Sequence, residues 1–236
     1  MRVERFHDLE AVSRAGAEEV ARLAKASPPR VPFHVALSGG STPKRMHEIL
    51  ASMGRDALPW DRVVLWWGDE RTVPPDHPDS NFGMAKRTLI DPLGLTRFHR
   101  MEGERDPAAA AADYEKLLVG ECGTPPVLDL IFLGLGPDGH TLSLFPGTPA
   151  VGETQRYVVA NPVDSPVTKG KTVRITFTLP VVAAARHVRM LVAGPDKTHV
   201  LPRALAAPSP EVPSSLVRSS DFVWFVDEVA AAELPK

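Results

Sequence analysis

Short runs of apolar residues recur along the chain and predict strands that are buried on both faces. One of them, at residues 127–133, is interrupted only by Asp129 and is followed at once by glycines. Because this run is too short for a typical helix and barely alternates with polar residues, it is typical of a strand in a parallel sheet. Other runs predict an edge strand at residues 3–6 and further strands at residues 33–37, 63–67, 157–160, 173–177, 188–193 and 222–226.

Segments with helical character lie between many of these strands. Asp8 is the predicted N-cap of a helix that ends near residue 26, where Ser27 and two prolines follow. Further helices are predicted at residues 43–53, 81–89, 107–118, 179–185 and 194–206. This alternation predicts an α/β fold with a largely parallel sheet and helices on both faces. Since the chain has no internal repeat and no long linker, we expect a single domain over residues 1–236.

Composition, net charge and the cysteine count exclude several classes of protein and of binding site. A chain of 236 residues that is 43% hydrophobic is long enough for a substantial core. Its net charge of −2 gives no electrostatic reason to expect binding to nucleic acid or to an acidic membrane surface. The single cysteine, Cys122, excludes an intrachain disulfide framework and a cysteine-rich metal site. The first ten residues lack the apolar segment of a signal peptide, and no apolar stretch approaches the roughly 20 residues of a membrane span, so we expect a cytoplasmic protein.

The loop after the predicted strand at residues 33–37 has the composition of an anion site. It reads Ser38, Gly39, Gly40, Ser41, Thr42, and a proline then suits the first turn of a helix. Unpaired backbone N–H groups and the helix dipole favour phosphate at such a position. The same composition is equally typical of an ordinary capped turn, and it matches neither a Walker A loop nor a dinucleotide fingerprint.

Charged residues follow two other predicted strands directly. Asp69, Glu70 and Arg71 come after residues 63–67, where they either bind substrate or form a local ion pair that fixes the loop. Asp138 and His140 lie in the glycine-rich loop after residues 127–133. Ligands of open α/β sheets bind outside the carboxyl ends of the strands, and a neutral histidine there is suited to take a proton from water. Asp138 either orients the His140 ring or binds a sugar hydroxyl.

Two cations complete a candidate phosphate site. Arg174 lies within a β-rich stretch, and Lys197 lies at the start of a predicted helix, where a positive charge opposes the helix dipole. An anion bound by both would explain their positions. The other seven histidines show no metal-ligand spacing, and no serine lies in a Gly-x-Ser-x-Gly motif, so neither a metal site nor a serine hydrolase is predicted.

Together these loops resemble the 6-phosphogluconolactonases. The resemblance is carried in order by Ser-Gly-Gly-Ser-Thr-Pro at residues 38–43, Asp-Glu-Arg at 69–71, Ser-Asn at 80–81, Asp-Gly-His-Thr at 138–141, Ser-Leu-Phe-Pro at 143–146, Arg-Ile-Thr at 174–176 and Gly-Pro-Asp-Lys at 194–197. It extends from about residue 6 to residue 231 and departs from the family pattern at Leu142, where a small residue is usual.

The sequence leaves two alternative functions to consider. The glucosamine-6-phosphate deaminases are similar in fold and sugar-phosphate site, and the resemblance implies for them a glutamate five residues after the histidine, where this chain has Phe145. A non-catalytic sugar-phosphate sensor on the same fold would have a degraded loop, whereas Asp138 and His140 are both present.

The resemblance implies a Rossmann-like fold and the hydrolysis of 6-phospho-D-glucono-1,5-lactone without a metal or an organic cofactor. It implies His140 as the general base, assisted by Asp138 and Arg71. The substrate would be bound by residues of the strand-end loops, namely Ser38, Gly39, Gly40, Ser41, Thr42, Asp69, Asn81, Arg174 and Lys197. We expect a monomer whose partner is this small phosphosugar lactone.

Overall fold

A central sheet of six parallel strands organises the computed structural model, which describes residues 2–235. The sheet has the spatial order β1-β9-β8-β5-β2-β3, and each neighbouring pair is parallel. Its strands are β1 (Arg2–Phe6), β2 (Phe33–Leu37), β3 (Val63–Trp67), β5 (Leu130–Gly134), β8 (His187–Val192) and β9 (Phe222–Asp227). The predicted α/β fold with a largely parallel sheet is confirmed.

Helices cover both faces of this sheet. They are α1 (Leu9–Ala26), α2 (Ser41–Ser52), α3 (Asn81–Ala85), α4 (Asp91–Leu93), α5 (Pro107–Cys122), α6 (Leu179–Ala184) and α7 (Val200–Ala204). Within β5, Leu130 and Phe132 pack in a cluster with α1 and α2, whereas Ile131 and Leu133 pack in a second cluster with α5, α6 and α7. Both faces of the strand are therefore apolar, which explains the unbroken hydrophobic pattern.

A second sheet was not predicted. Strands β4 (Asp69–Arg71), β7 (Gly170–Phe177) and β6 (Val158–Ser165) form an antiparallel sheet in the order β4-β7-β6. The predictions of a loop at residues 69–71 and of a strand that ends at residue 160 were both wrong. Polar residues occupy much of these strands because part of the small sheet faces solvent, so the apolar pattern ends before the strands do.

Two predicted helices are not regular α-helices throughout. Between α3 and α4 the chain forms a π-helical turn at Lys86–Ile90, and Pro92 has no N–H to donate to the carbonyl of Thr88. The predicted helix at residues 194–206 is likewise a 3₁₀ turn at Pro195–Lys197 followed by α7, because Pro202 cannot donate to Thr198. By contrast, the predicted cap of α1 is confirmed, since the Asp8 carboxylate accepts a hydrogen bond from the Ala11 N–H at 2.8 Å.

No helix in the described part of the chain is both long and apolar enough to cross a membrane.

Candidate active site

A pocket of about 240 Å³ opens at the carboxyl ends of β2, β3 and β5, beside the small antiparallel sheet. Nine of the predicted site residues line it, namely Ser38, Gly39, Gly40, Asp69, Arg71, Asn81, His140, Arg174 and Lys197. The structure therefore brings together side chains that are separated by up to 159 positions in the sequence, counted from Ser38 to Lys197. Ser41, Thr42 and Asp138 were predicted for the same site but do not line the pocket.

The His140 ring is fixed by a carboxylate. Its Nδ1 lies 2.5 Å from Asp138 Oδ1, and the His140 backbone N–H donates to the same oxygen at 3.1 Å. Burial disfavours the charge on Asp138, but these hydrogen bonds from His140 outweigh burial and hold the pKa of the Asp138 carboxyl below its usual value. Because an ionised carboxylate only accepts hydrogen bonds, Nδ1 carries the proton and Nε2 is left as the basic nitrogen.

Two glycines give the loop around His140 its shape. A Cβ atom at Gly136 would overlap the His140 ring, so only glycine allows the ring to lie against the backbone there. The loop closes through a hydrogen bond from the Gly136 N–H to the His140 carbonyl at 2.8 Å. Gly139 has a φ of 91°, a conformation that favours glycine. The local sequence thus presents the imidazole in one orientation.

A buried polar cluster forms one wall of the pocket. Asp69 is only 7% exposed, and its carboxylate accepts from Ser143 Oγ at 2.7 Å and from Asn81 Nδ2 at 3.3 Å. Ser143 and Asn81 are themselves buried. Fixed donors and acceptors of this kind are suited to recognise the hydroxyl groups of a sugar.

Glu70 has a different role from its neighbours in the sequence. Its buried carboxylate accepts hydrogen bonds from the backbone N–H groups of Arg71, Asn81 and Phe82, the last two at the start of α3. Burial raises its pKa although these hydrogen bonds oppose the rise. Glu70 does not line the pocket, so it anchors α3 and thereby places Asn81.

Two arginines lie directly opposite each other in the small sheet. Arg71 in β4 is the register partner of Arg174 in β7. Burial, and after it the nearby charge of Arg71, lower the pKa of Arg174 from its usual value. Among residues 2–235 neither arginine forms an ion pair with a carboxylate, and Arg71 donates instead to the Asp79 carbonyl. Like charges in cross-strand positions repel each other, so this arrangement is suited to hold an anion.

The third cation of the pocket is Lys197. Its side chain is 18% exposed, and its Nζ lies 2.7 Å from Oδ2 of the more exposed Asp196. Lys197 lies in the turn after β8, not in the first turn of a longer helix as predicted. Lys197 therefore adds a third positive charge to the pocket that Arg71 and Arg174 line.

The loop after β2 provides backbone donors. The N–H groups of Gly39 and Gly40 have no hydrogen-bond partner in residues 2–235, and both glycines line the pocket at the N-terminus of α2. A Cβ atom at Gly39 would overlap the Asn81 side chain, which explains the need for glycine. Ser41 is exposed, and the buried Thr42 accepts from Ser13 through its carbonyl.

Several pocket residues were not among the predicted site residues. They are Gly134, Leu135, Gly136, Pro137, Leu142, Ser143, Phe145, Val167 and Thr168. Leu142 adopts a positive φ of 54°, which is uncommon for a bulky residue. Val167 and Thr168 come from the turn between β6 and β7. Across residues 2–235 no group of three or more His, Cys, Asp or Glu residues could hold a metal ion.

The sequence profile of the family described as glucosamine-6-phosphate isomerases/6-phosphogluconolactonase matches residues 7–224. This chain belongs to that family. A family relative from Synechocystis, a 6-phosphogluconolactonase, is 39% identical over 233 residues, which cover 94% of this chain and 93% of the relative. The resemblance predicted from the motifs is thus confirmed.

Solved structures of a 6-phosphogluconolactonase and of a glucosamine-6-phosphate deaminase have the same fold as this chain. The crystal structure of 6-phosphogluconolactonase from Leishmania guyanensis has a TM-score of 0.87 and 30% identity, and the match covers 100% of this chain and 99% of that one. A monomeric glucosamine-6-phosphate deaminase has a TM-score of 0.84 but only 20% identity, over 98% of this chain and 99% of that chain. The same fold therefore occurs in a 6-phosphogluconolactonase and in a glucosamine-6-phosphate deaminase, so the fold alone does not distinguish the two activities.

Proposed function

We propose that the protein hydrolyses 6-phospho-D-glucono-1,5-lactone to 6-phosphogluconate, a step of the oxidative pentose phosphate pathway. The names of the relatives from Synechocystis and Leishmania guyanensis support this activity. The observation that carries the proposal is a histidine held by a carboxylate, His140 by Asp138, in a pocket with two arginines that lack carboxylate partners. Such a pocket combines a base with an anion site, as a phosphorylated lactone requires.

The phosphate is held by Arg174, Lys197 and the free N–H groups of Gly39 and Gly40. Arg174 and Lys197 supply charge-assisted hydrogen bonds, and the N-terminus of α2 adds its positive dipole. Binding this end of the substrate places the lactone carbonyl and provides energy for the chemistry at the other end.

His140 acts as the general base. Its Nε2 accepts a proton from water while the water oxygen forms a bond to the C1 carbonyl carbon. The bond between C1 and the ring oxygen then breaks, and the imidazolium returns the proton to that oxygen. Asp138 holds Nδ1–H throughout, which keeps the ring in the required tautomer.

Arg71 stabilises the negative charge that develops on the C1 oxygen. The backbone N–H groups of residues 136–140 are poor candidates for this task. Those of Gly136, Gly139 and His140 already donate within the loop, and Asp138 does not line the pocket. Arg71 remains as a charged donor that lines the pocket.

Asp69, Asn81 and Ser143 bind the sugar hydroxyls through the polar wall of the pocket. We also propose that the enzyme works as a cytoplasmic monomer and needs neither a metal nor an organic cofactor, with the small phosphosugar lactone as its partner.

A coupled assay tests the proposed reaction. The lactone is generated enzymatically from glucose 6-phosphate, and its opening is compared with the spontaneous rate. Acceleration by the protein is the expected result. Release of ammonia from glucosamine 6-phosphate without lactone opening would favour a deaminase instead, and binding of 6-phosphogluconate without turnover of either compound would favour a sensor.

A further inference from the structure

The His140 ring is stacked on an aromatic ring that the proposed reaction does not use. The ring centroids of His140 and Phe145 lie 4.1 Å apart, and the two planes differ by 26°. Phe145 is 5% exposed and lines the pocket. With Gly136 against the imidazole and Asp138 at Nδ1, the ring has contacts that leave it little freedom to rotate.

Three cationic side chains line the pocket that contains the His140 ring. Arg71, Arg174 and Lys197 already line it, and a protonated imidazole would add a further cation. Carboxylates also lie near the pocket. Asp69 accepts from Ser143 and Asn81, and Asp138 contacts the His140 ring. Others lie close to the cations, namely Glu70 and Asp79 near Arg174 and Asp196 beside Lys197. Charges interact strongly where little water screens them, so the groups in direct contact with the ring, Asp138 and Phe145, act on the charge that forms during the reaction.

We propose that Phe145 is a positioning residue that fixes the His140 ring and stabilises the imidazolium formed during lactone hydrolysis. This inference rests on the proposed function of His140 as the base. A cation within about 6 Å of an aromatic centroid is attracted by the electrons of the ring face, and the observed separation lies well inside that range.

The stabilisation acts on the transition state and hardly on the resting enzyme. His140 is neutral when it accepts the proton and positive as the water attacks, so the cation–π attraction grows along the reaction. An interaction that strengthens in this way raises kcat and leaves substrate binding unchanged. For a site of this kind the expected contribution to kcat is roughly two- to thirty-fold.

Fluorinated phenylalanines at position 145 measure this contribution. Each added fluorine withdraws electrons from the ring face while the size of the ring is nearly kept. We expect kcat to fall steadily from phenylalanine through mono-, di- and trifluorophenylalanine at constant KM. Phe98, which packs against Phe82 outside the pocket, receives the same series as the matched control and should show no trend.

A Phe145→Leu variant tests the position of the ring without any assay of activity. In the unsubstituted protein, the His140 Nδ1–H bonded to Asp138 should give a downfield proton NMR signal that is protected from exchange. The signal should broaden or vanish in Phe145→Leu and persist in Phe145→Tyr, which keeps the ring.

The two experiments distinguish a failure of this inference from a failure of the proposed function. If the unsubstituted protein does not open the lactone, the proposed function fails, and the NMR signal still decides whether Phe145 positions His140. An active enzyme with constant kcat across the fluorine series, or with the same trend at Phe98, would overturn the stabilising role. A signal absent from the unsubstituted protein or unchanged in Phe145→Leu would overturn the positioning role.

Discussion

At the scale of single residues, the chemistry depends on pairs that the chain brings together over short and long distances. Asp138 and His140 are two positions apart, and the sequence predicted that Asp138 either orients the His140 ring or binds a sugar hydroxyl. The structure shows a hydrogen bond to the ring. Arg71 and Arg174 are 103 positions apart and meet only because β4 pairs with β7. The sequence contains no local signal for that pairing, so the cationic pair could not be predicted as a unit.

The hydrogen bond between Asp138 and His140 leads to a first prediction. Asp138→Asn should lower kcat by on the order of 10- to 100-fold, because a neutral amide neither fixes the Nδ1–H tautomer nor balances the imidazolium charge. Steady-state kinetics measure the effect, and a circular dichroism spectrum checks that the fold is kept. Unchanged kcat would assign Asp138 to the loop structure alone.

The two arginines should differ in their kinetic effects. Arg174→Gln should raise KM by roughly 10- to 100-fold through the loss of a charge-assisted hydrogen bond to phosphate. Arg71→Gln should instead lower kcat by on the order of 10²-fold, since it stabilises charge that develops during the reaction. Arg105→Gln removes a surface arginine outside the pocket and serves as the control. Equal effects of the two substitutions on KM would assign both arginines to the phosphate.

At the scale of elements, prediction succeeded where burial decides the pattern. Strands β2 and β3 have the predicted bounds because every residue in them is buried. Strand β6 was predicted too short, since exposed and buried residues mix within it. The stacking of Phe145 on His140 depends on how residues 140–148 fold back, which no periodic pattern records.

The loop after β5 should not tolerate a side chain at Gly136. Gly136→Ala should reduce kcat strongly, because the new methyl group would displace the His140 ring. Gly120→Ala is a matched control, since Gly120 lies in α5 with open space around a Cβ atom. The control should keep full activity and gain roughly 0.5–1 kcal/mol of stability from the improved helix propensity. Kinetics and thermal unfolding together measure both effects, and normal kcat in Gly136→Ala would contradict this view of the loop.

At the scale of the whole molecule, one buried histidine links stability to pH. His47 in α2 is fully buried, its Nε2 has no hydrogen-bond partner among the described residues, and burial lowers its pKa to about 4. The unfolded chain takes up this proton near the ordinary value of 6.5, whereas the native protein does so only near 4. Lowering the pH from 6.5 towards 4 therefore favours unfolding.

This linkage predicts a difference between the native protein and His47→Gln. His47 should account for a loss of about 2 kcal/mol in the free energy of unfolding between pH 7 and pH 5. Urea denaturation at both pH values should show that the variant loses correspondingly less stability than the native protein. Equal losses in both proteins would show that His47 does not remain neutral in the native state.

The central claim is that His140 activates water against a phosphorylated lactone. The most direct measurement is kcat and KM of the native protein and of His140→Ala in the coupled lactone assay. The substitution should lower kcat by roughly 10²- to 10⁴-fold, with KM and the thermal unfolding temperature little changed. Near-normal kcat in His140→Ala at saturating lactone would contradict it.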